Sequence, residues 1–298
     1  MPSPLSGSSH PLKGILYMVV AGLLLTANDA VLKWLTGGYL TGQIMFVRGV
    51  FVFIPVSYFI WRAGGVNQIR IVSLKWQLLR AGLVVTGTFC FVTGLSYLPL
   101  ADAIAITFAG PLFVTAMASF FLKEIVGWRR WCAVFVGFIG VIVIIRPTSD
   151  AIQWAALLPL IASFTGALRD IITRHIAAAE QSSTILAVST AIVCLGGLAT
   201  APFGWQPVPL DDLALFLLSG LLLGGAHFLM IDTFRYAEAA LVTPFKYMSI
   251  IWATALGFLV WGDLPDRWTI SGSAIVIASG LYILNRETKR RRAAKART

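Results

Sequence analysis

The segment GILYMVVAGLLLTANDAVLKWL, residues 14–35, decides how the rest of the chain is read. It is almost wholly apolar and long enough to cross a bilayer, since a spanning helix needs about 20 apolar residues. It nevertheless carries Asp29 and Lys33. A charge at the centre of a spanning helix costs about 2.5 to 3.5 kcal/mol on insertion scales, so an ionisable residue there is a functional hypothesis by default. The first 13 residues are short and polar, and the apolar run after them is too long for a signal-peptide core and has no small-residue cleavage site. A retained first helix is expected.

Composition extends this reading to the whole chain. Of 298 residues, 58% are hydrophobic and only 12% charged, and the mean hydropathy is +0.83. Soluble domains carry about twice that charge, so the chain reads as an integral membrane protein. Cys90, Cys132 and Cys194 each lie in an apolar run without metal-site or disulfide spacing and read as packing residues. The net charge of +10 sits in loops and in the tail RETKRRRAAKAR, which begins directly after a span. That is a topological anchor able to hold anionic headgroups rather than a nucleic-acid surface. No nucleic-acid partner, cofactor or metal is expected.

Hydropathy with Gly, Pro and charge punctuation predicts ten spans, at residues 14–35, 40–61, 76–96, 100–122, 128–146, 152–173, 183–203, 211–233, 239–261 and 268–285. With a cytoplasmic N-terminus, the inner segments hold Lys13, Arg62, Arg70, Lys75, Arg80, Lys123, Arg129, Arg130, Arg169, Arg174, Arg235 and the basic tail. The outer connections TGGY and GWQPVPLDD hold no basic residue. This positive-inside pattern predicts that both termini are cytoplasmic, and a bacterial inner membrane is the expected location.

The chain also repeats itself. At one offset Tyr97 falls on Tyr236, Ala101 on Ala240 and Glu124 on Asp263; at neighbouring offsets Gly82 and Gly87 fall on Gly220 and Gly225, and Asp29 and Lys33 on Asp170 and Arg174. Each half then has five spans, and an odd number inverts the second half in the membrane. The expected fold is an all-α integral membrane protein of ten transmembrane helices in two inverted five-helix repeats, 14–146 and 152–285, flanked by a cytoplasmic segment 1–13 and a basic tail 286–298. Inverted repeats of this kind mark secondary transporters, with the substrate site near the midplane where the repeats meet.

Four pieces of sequence carry a resemblance: ANDAVLKWL, the FVRG of span two, FAGPLFVTAMASFFLKEIVGWRRWCAVFVGFIGVIVIIRP, and TPFKYMSIIWATALGFLVWGDLPDRW. From about Leu12 to Glu287 the chain resembles the drug/metabolite transporter superfamily, specifically its EamA-type carriers with ten spans in two five-helix repeats. The resemblance implies transport of a small molecule across the bilayer, with substrates in similar carriers including amino acids, riboflavin and S-adenosylmethionine. The A-N-D-x-x-x-K opening and the T-P-F-K-Y segment look most like the vitamin and nucleoside-like carriers. Uptake of riboflavin or a similar heteroaromatic compound is the first expectation and efflux of amino acids or related metabolites the second. A homodimer is left open.

The charged positions are read from depth. Asp29 lies about 22 Å along span one at 1.5 Å per residue, with Lys33 one turn further on the same face. At i, i+4 with the acid first the two can pair within the helix, and Arg48 of span two lies at a depth from which it reaches Asp29. A fixed ion-pair network and an outer gate are both open for this trio. Asp170 and Arg174 repeat the spacing at the other end of span six. Lys246, roughly 10 Å into span nine with no acidic residue within one turn, is the leading substrate-binding candidate, joined by Tyr247, Thr107 and the aromatics Phe46, Phe89, Phe108 and Phe245. Pro111 and Pro244 belong to the related spans four and nine and are expected to break them. Trp34, Trp128 and Trp261 at span ends read as interface anchors.

No H-E-x-x-H, G-x-S-x-G or P-loop is present, and the three histidines are far apart in the chain. No enzymatic activity is expected. An intramembrane enzyme using Asp29 or Asp170 is the rival of another class, and a liposome assay separates it from a carrier.

Overall fold

A computed structural model describes residues 11–62, 64–65, 71–121, 127–146, 154–176, 180–237 and 239–295, with the side chains of some positions inside these ranges, Arg174 among them, excepted. The described residues form helices: α1 (Pro11–Leu35), α2 (Thr41–Arg62), α3 (Leu74–Tyr97), α4 (Leu100–Thr107), α5 (Gly110–Phe121), α6 (Trp128–Ile145), α7 (Trp154–Ile176), α8 (Ser182–Leu198), α9 (Leu210–Tyr236), α10 (Ala239–Val242), α11 (Ser249–Trp261) and α12 (Arg267–Lys295). Among the described residues ten segments are long and apolar enough to cross a membrane, α4 running into α5 as one of them and a 3₁₀ turn, Thr243–Met248, running into α11 as another. Helices are what lipid demands, since hydrocarbon offers no partner to an unpaired backbone group.

Pro202 falls at the very end of the seventh predicted span; of the four prolines in span interiors, Pro55, Pro111, Pro159 and Pro244, two leave their helices intact. Pro55 sits within α2 and Pro159 within α7. Each ring packs where the facing helix has a glycine: a Cβ on Gly224 of α9 would overlap the Pro55 ring, and one on Gly94 of α3 would crowd Pro159. The other two accompany real interruptions. The fourth crossing breaks at Phe108 and Ala109, just ahead of Pro111, and the ninth passes through a 3₁₀ turn, Thr243–Met248, that contains Pro244.

Packing follows a twofold scheme. α1 lies along α9 as α7 lies along α3; α1 touches α11 as α7 touches α4; and α2 packs on α8, α6 on α12, and α11 on α4, each crossing meeting its own counterpart. This is the pairing that two inverted five-helix repeats produce. Small residues close these seams. At the α6–α12 contact, a Cβ on Gly272 would meet the Gly140 carbonyl at 2.6 Å, so the two backbones touch directly.

An even number of crossings returns the chain to the face at which it starts, here called the terminal face. The largest apolar core lies toward the opposite face, where Leu35, Ile44, Leu95, Leu98, Leu100 and Phe216 are all buried. Hydrogen bonds reinforce it: Gln43 Nε2 donates to the Gln206 carbonyl at 2.5 Å, and the Tyr39 hydroxyl donates to Asp212 Oδ2 at 2.5 Å. Burial, with the Asp212 carboxylate second, pushes the Tyr39 phenol up to about 12.

Candidate functional site

Beneath that sealed face, between the two halves, lies a cavity of ≈ 770 Å³. Its wall on α3 is one helical face, Arg80, Val84, Gly87 and Phe91, and running from Arg80 to Val92 it is about 18 Å long at 1.5 Å per residue. Lys246 and Leu284 line it near the terminal face, and Asn28, Asp29 and Arg48 line the deep end. The interruption of the fourth crossing is also part of the wall, through Thr107, Phe108, Gly110 and Pro111. Its freed Thr107 carbonyl accepts a hydrogen bond from Ser163 of α7 at 2.9 Å. Irregular backbone at membrane depth is tolerated where it lines such a space.

At the deep end, Asn28 Nδ2 donates to Asp29 Oδ1 at 3.0 Å, and the hydroxyl of the buried Ser219 donates to Asn28 Oδ1 at 2.7 Å. Arg48 from α2 is only 8% exposed. Near the terminal face the polar groups are cationic. Arg80 Nε donates to Thr173 Oγ1 at 2.7 Å and its Nη1 donates to Ser189. Arg169 pairs with Asp170 at 2.7 Å. Lys246 is exposed, and what it is exposed to is the cavity. His227 Nδ1 lies 2.9 Å from the Leu223 carbonyl on its own helix. Between the two ends stands an aromatic pair, Phe108 and Tyr247, edge to face with centroids 5.0 Å apart.

Of the residues singled out from sequence, Asp29, Arg48, Thr107, Phe108, Pro111, Asp170, Lys246 and Tyr247 lie together around this cavity. Pro244 is in the 3₁₀ turn that carries Lys246 and Tyr247. Several expected contacts do not form. Lys33 does not pair with Asp29; its Nζ reaches away to donate to the carbonyls of Leu98 at 2.6 Å and Leu95 at 3.4 Å, over the Trp261 ring. The reason is geometric: α3 ends beside Lys33, and the unpaired carbonyls of its last turn attract a cation. Asp29 and Arg48 line the same end of the cavity but make no direct ion pair. Asp170 is paired with its neighbour Arg169, and the side chain of Arg174 lies outside the described residues, as does Glu124. Phe46 and Phe89 are away from the cavity: Phe46 packs on Trp205 with centroids 5.4 Å apart, and Phe89 is 42% exposed on the outer surface of the bundle. Phe245 likewise is not in its wall.

Sequence reasoning missed Arg80, His227, Asn28, Phe91 and Ser219 as members of the site. A signal existed for Arg80 and Phe91, which share a helical face with Gly87 at spacings of seven and four. None existed for Ser219, which reaches Asn28 from the other half of the chain.

Comparison with known proteins covers most of the chain. Residues 12–146 and 153–286 match the EamA-like transporter family. A riboflavin transporter of Rhizobium johnstonii is 33% identical over 291 residues, covering 95% of this chain and 95% of that protein. An S-adenosylmethionine uptake transporter of Rickettsia bellii is 26% identical over 276 residues, covering 93% and 94%. One crystal structure superposes with a TM-score of 0.65 at 14% identity, covering 93% of this chain and 98% of that one, a likeness of fold alone.

Proposed function

The chain belongs to the EamA-like transporter family, a multi-pass bacterial membrane protein that moves a small metabolite, and from that premise we propose that it takes up riboflavin or a closely similar neutral heteroaromatic compound. The observation that carries the choice is the charge of the cavity. Four basic residues, Arg48, Arg80, Arg169 and Lys246, face two acidic ones, Asp29 and Asp170. S-adenosylmethionine bears a sulfonium and an ammonium against one carboxylate, so an excess of positive charge in a desolvated site repels it. Riboflavin is neutral, flat and edged with hydrogen-bonding groups, and the Phe108–Tyr247 pair offers an aromatic surface for a flat ring. A volume of ≈ 770 Å³ is within the range of small-molecule sites.

Lys246, in this reading, meets the substrate at the terminal-face end of the cavity. Lysines and arginines concentrated in the segments at the terminal face favour an inner-membrane orientation with both termini cytoplasmic. The test is accumulation of labelled riboflavin by a riboflavin auxotroph expressing the protein, with unlabelled riboflavin and S-adenosylmethionine as competitors. Accumulation blocked by riboflavin and not by S-adenosylmethionine is expected. No accumulation, with resistance to toxic amino-acid analogues instead, would favour amino-acid efflux.

A further inference from the structure

We propose that Arg48 and Asp29 together form a subsite for the –CO–NH– edge of the substrate's ring, the acceptor oxygen meeting the Arg48 guanidinium and the N–H meeting the Asp29 carboxylate. This rests on the riboflavin reading and adds the orientation of the ring within the cavity.

Arg48 is 8% exposed, its Nε is enclosed without a hydrogen-bond partner, and among the described residues its guanidinium makes no hydrogen bond at all. An enclosed N–H without an acceptor is costly, the remaining guanidinium donors line the cavity without a protein acceptor, and a ligand oxygen is the partner the site leaves room for. Asp29 is complementary. Asn28 occupies Oδ1 as a donor, and it cannot turn its own carbonyl toward the carboxylate because the Ser219 hydroxyl already holds that oxygen. No hydrogen bond among the described residues reaches Asp29 Oδ2. Lys33, the cation nearest along the helix, is engaged by the α3 carbonyls instead. The deep end therefore presents one unfilled donor group beside one unfilled acceptor.

That juxtaposition selects against charged groups. An anion drawn to Arg48 meets Asp29, and a cation drawn to Asp29 meets Arg48. A neutral group that offers an acceptor and a donor side by side satisfies both, which is what a cis-amide or imide edge does. Space for the ring exists on the same wall: Gly22, two turns below Asp29 on the cavity face of α1, has open space where a side chain would stand. Thr26 between them has its hydroxyl committed to the Gly22 carbonyl at 2.9 Å.

Binding of riboflavin and of N3-methylriboflavin, in which a methyl replaces the imide hydrogen, to the purified full chain by quenching of flavin fluorescence tests the assignment. The wild type is expected to bind riboflavin roughly 10- to 100-fold more tightly, the range for a hydrogen bond to a charged group. Asp29→Ala removes the acceptor and makes room for the methyl, so the two ligands should bind it with affinities within about threefold of each other. Asp29→Val, which also lacks an acceptor, carries the same comparison if the alanine variant does not fold. Equal binding of both ligands by the wild type overturns the subsite and leaves the transport reading standing, as does full discrimination retained in a folded Asp29 variant. A wild type that binds neither ligand overturns the substrate and the subsite together.

Discussion

Asp29 and Lys33 occupy successive turns of α1, yet their partners differ in kind, a carboxamide for one and backbone carbonyls for the other. What each residue does is set by which helix lies against it, and the same holds for Tyr247. Its ring reaches past the cavity wall until the hydroxyl fills the place where a side chain on Gly280 of α12 would begin. A tyrosine ring cannot bend, so any Cβ at 280 turns it back toward the cavity and its Phe108 partner. Gly280→Ala is therefore expected to leave a folded protein that binds substrate about tenfold more weakly, the order of one lost close contact network. Size-exclusion behaviour and affinity measured together check this; unaltered affinity would mean that Tyr247 does not shape the site.

Helix ends and helix interruptions decide where those residues stand. α12 begins at a cap: Asp266 Oδ1 accepts the backbone N–H groups of Trp268 at 3.1 Å and Thr269 at 3.0 Å, and the same oxygen pairs with Arg146 at the end of α6. Arg146 is the one non-glycine residue with positive φ among those described, at 50°, a backbone form that turns the chain out of α6. Partial burial raises the Asp266 carboxyl, but the Thr269 amide and the Arg146 guanidinium outweigh it and hold the group below the ordinary carboxylate value. A depressed acid contributes stability that is complete above its unfolded value, near 4, and is lost as pH falls through the folded one. The melting temperature in detergent should accordingly decline as pH drops from about 5 to 3, and less so in Asp266→Ala, whose cap loss costs about 0.5–2 kcal/mol at neutral pH. The ion pair itself is 32% and 40% exposed at its two side chains and adds little. The interruption around Pro244 has the opposite character, trading helix stability for function. Pro244→Ala restores an N–H and permits a continuous helix, which would rotate Lys246 and Tyr247 relative to α11. Equal or higher thermal stability with transport lost is the expected result, and transport at the wild-type rate would separate the break from function.

At the scale of the whole molecule, the cavity has a closed end and a cationic end, and the closure is made of few polar contacts over an apolar plug. Lys33 binds the end of α3 through two carbonyls and is the one charged tie between α1 and α3 that the described residues show. Hydrogen bonds to a charged group are worth about 1.5–3 kcal/mol, enough to shift a two-state equilibrium by about tenfold or more. Lys33→Met should thus open this face more often, and a cysteine placed at Leu98, 4% exposed in the closed form, should react several-fold faster with an impermeant maleimide. An unchanged rate would show that the apolar plug alone keeps it shut. Ten crossings and their inverted halves were legible in the sequence because lipid allows few alternatives: length and hydropathy of each run, and the odd number per half, leave one architecture. The breaks near Pro111 and Pro244 were legible for the same local reason, a missing N–H, whereas Pro55 and Pro159 carry the same signal and stay helical because Gly224 and Gly94 on facing helices accept their rings. Depth along a span placed Asp29, Arg48 and Lys246 inside the membrane, but depth has no azimuth. It could not tell Phe108, which faces the cavity, from Phe89, which faces away, nor give Lys33 the α3 carbonyls in place of Asp29. Those choices belong to the tertiary structure alone, since they are fixed by contacts between crossings far apart in the chain, as Ser219 and Asn28 are.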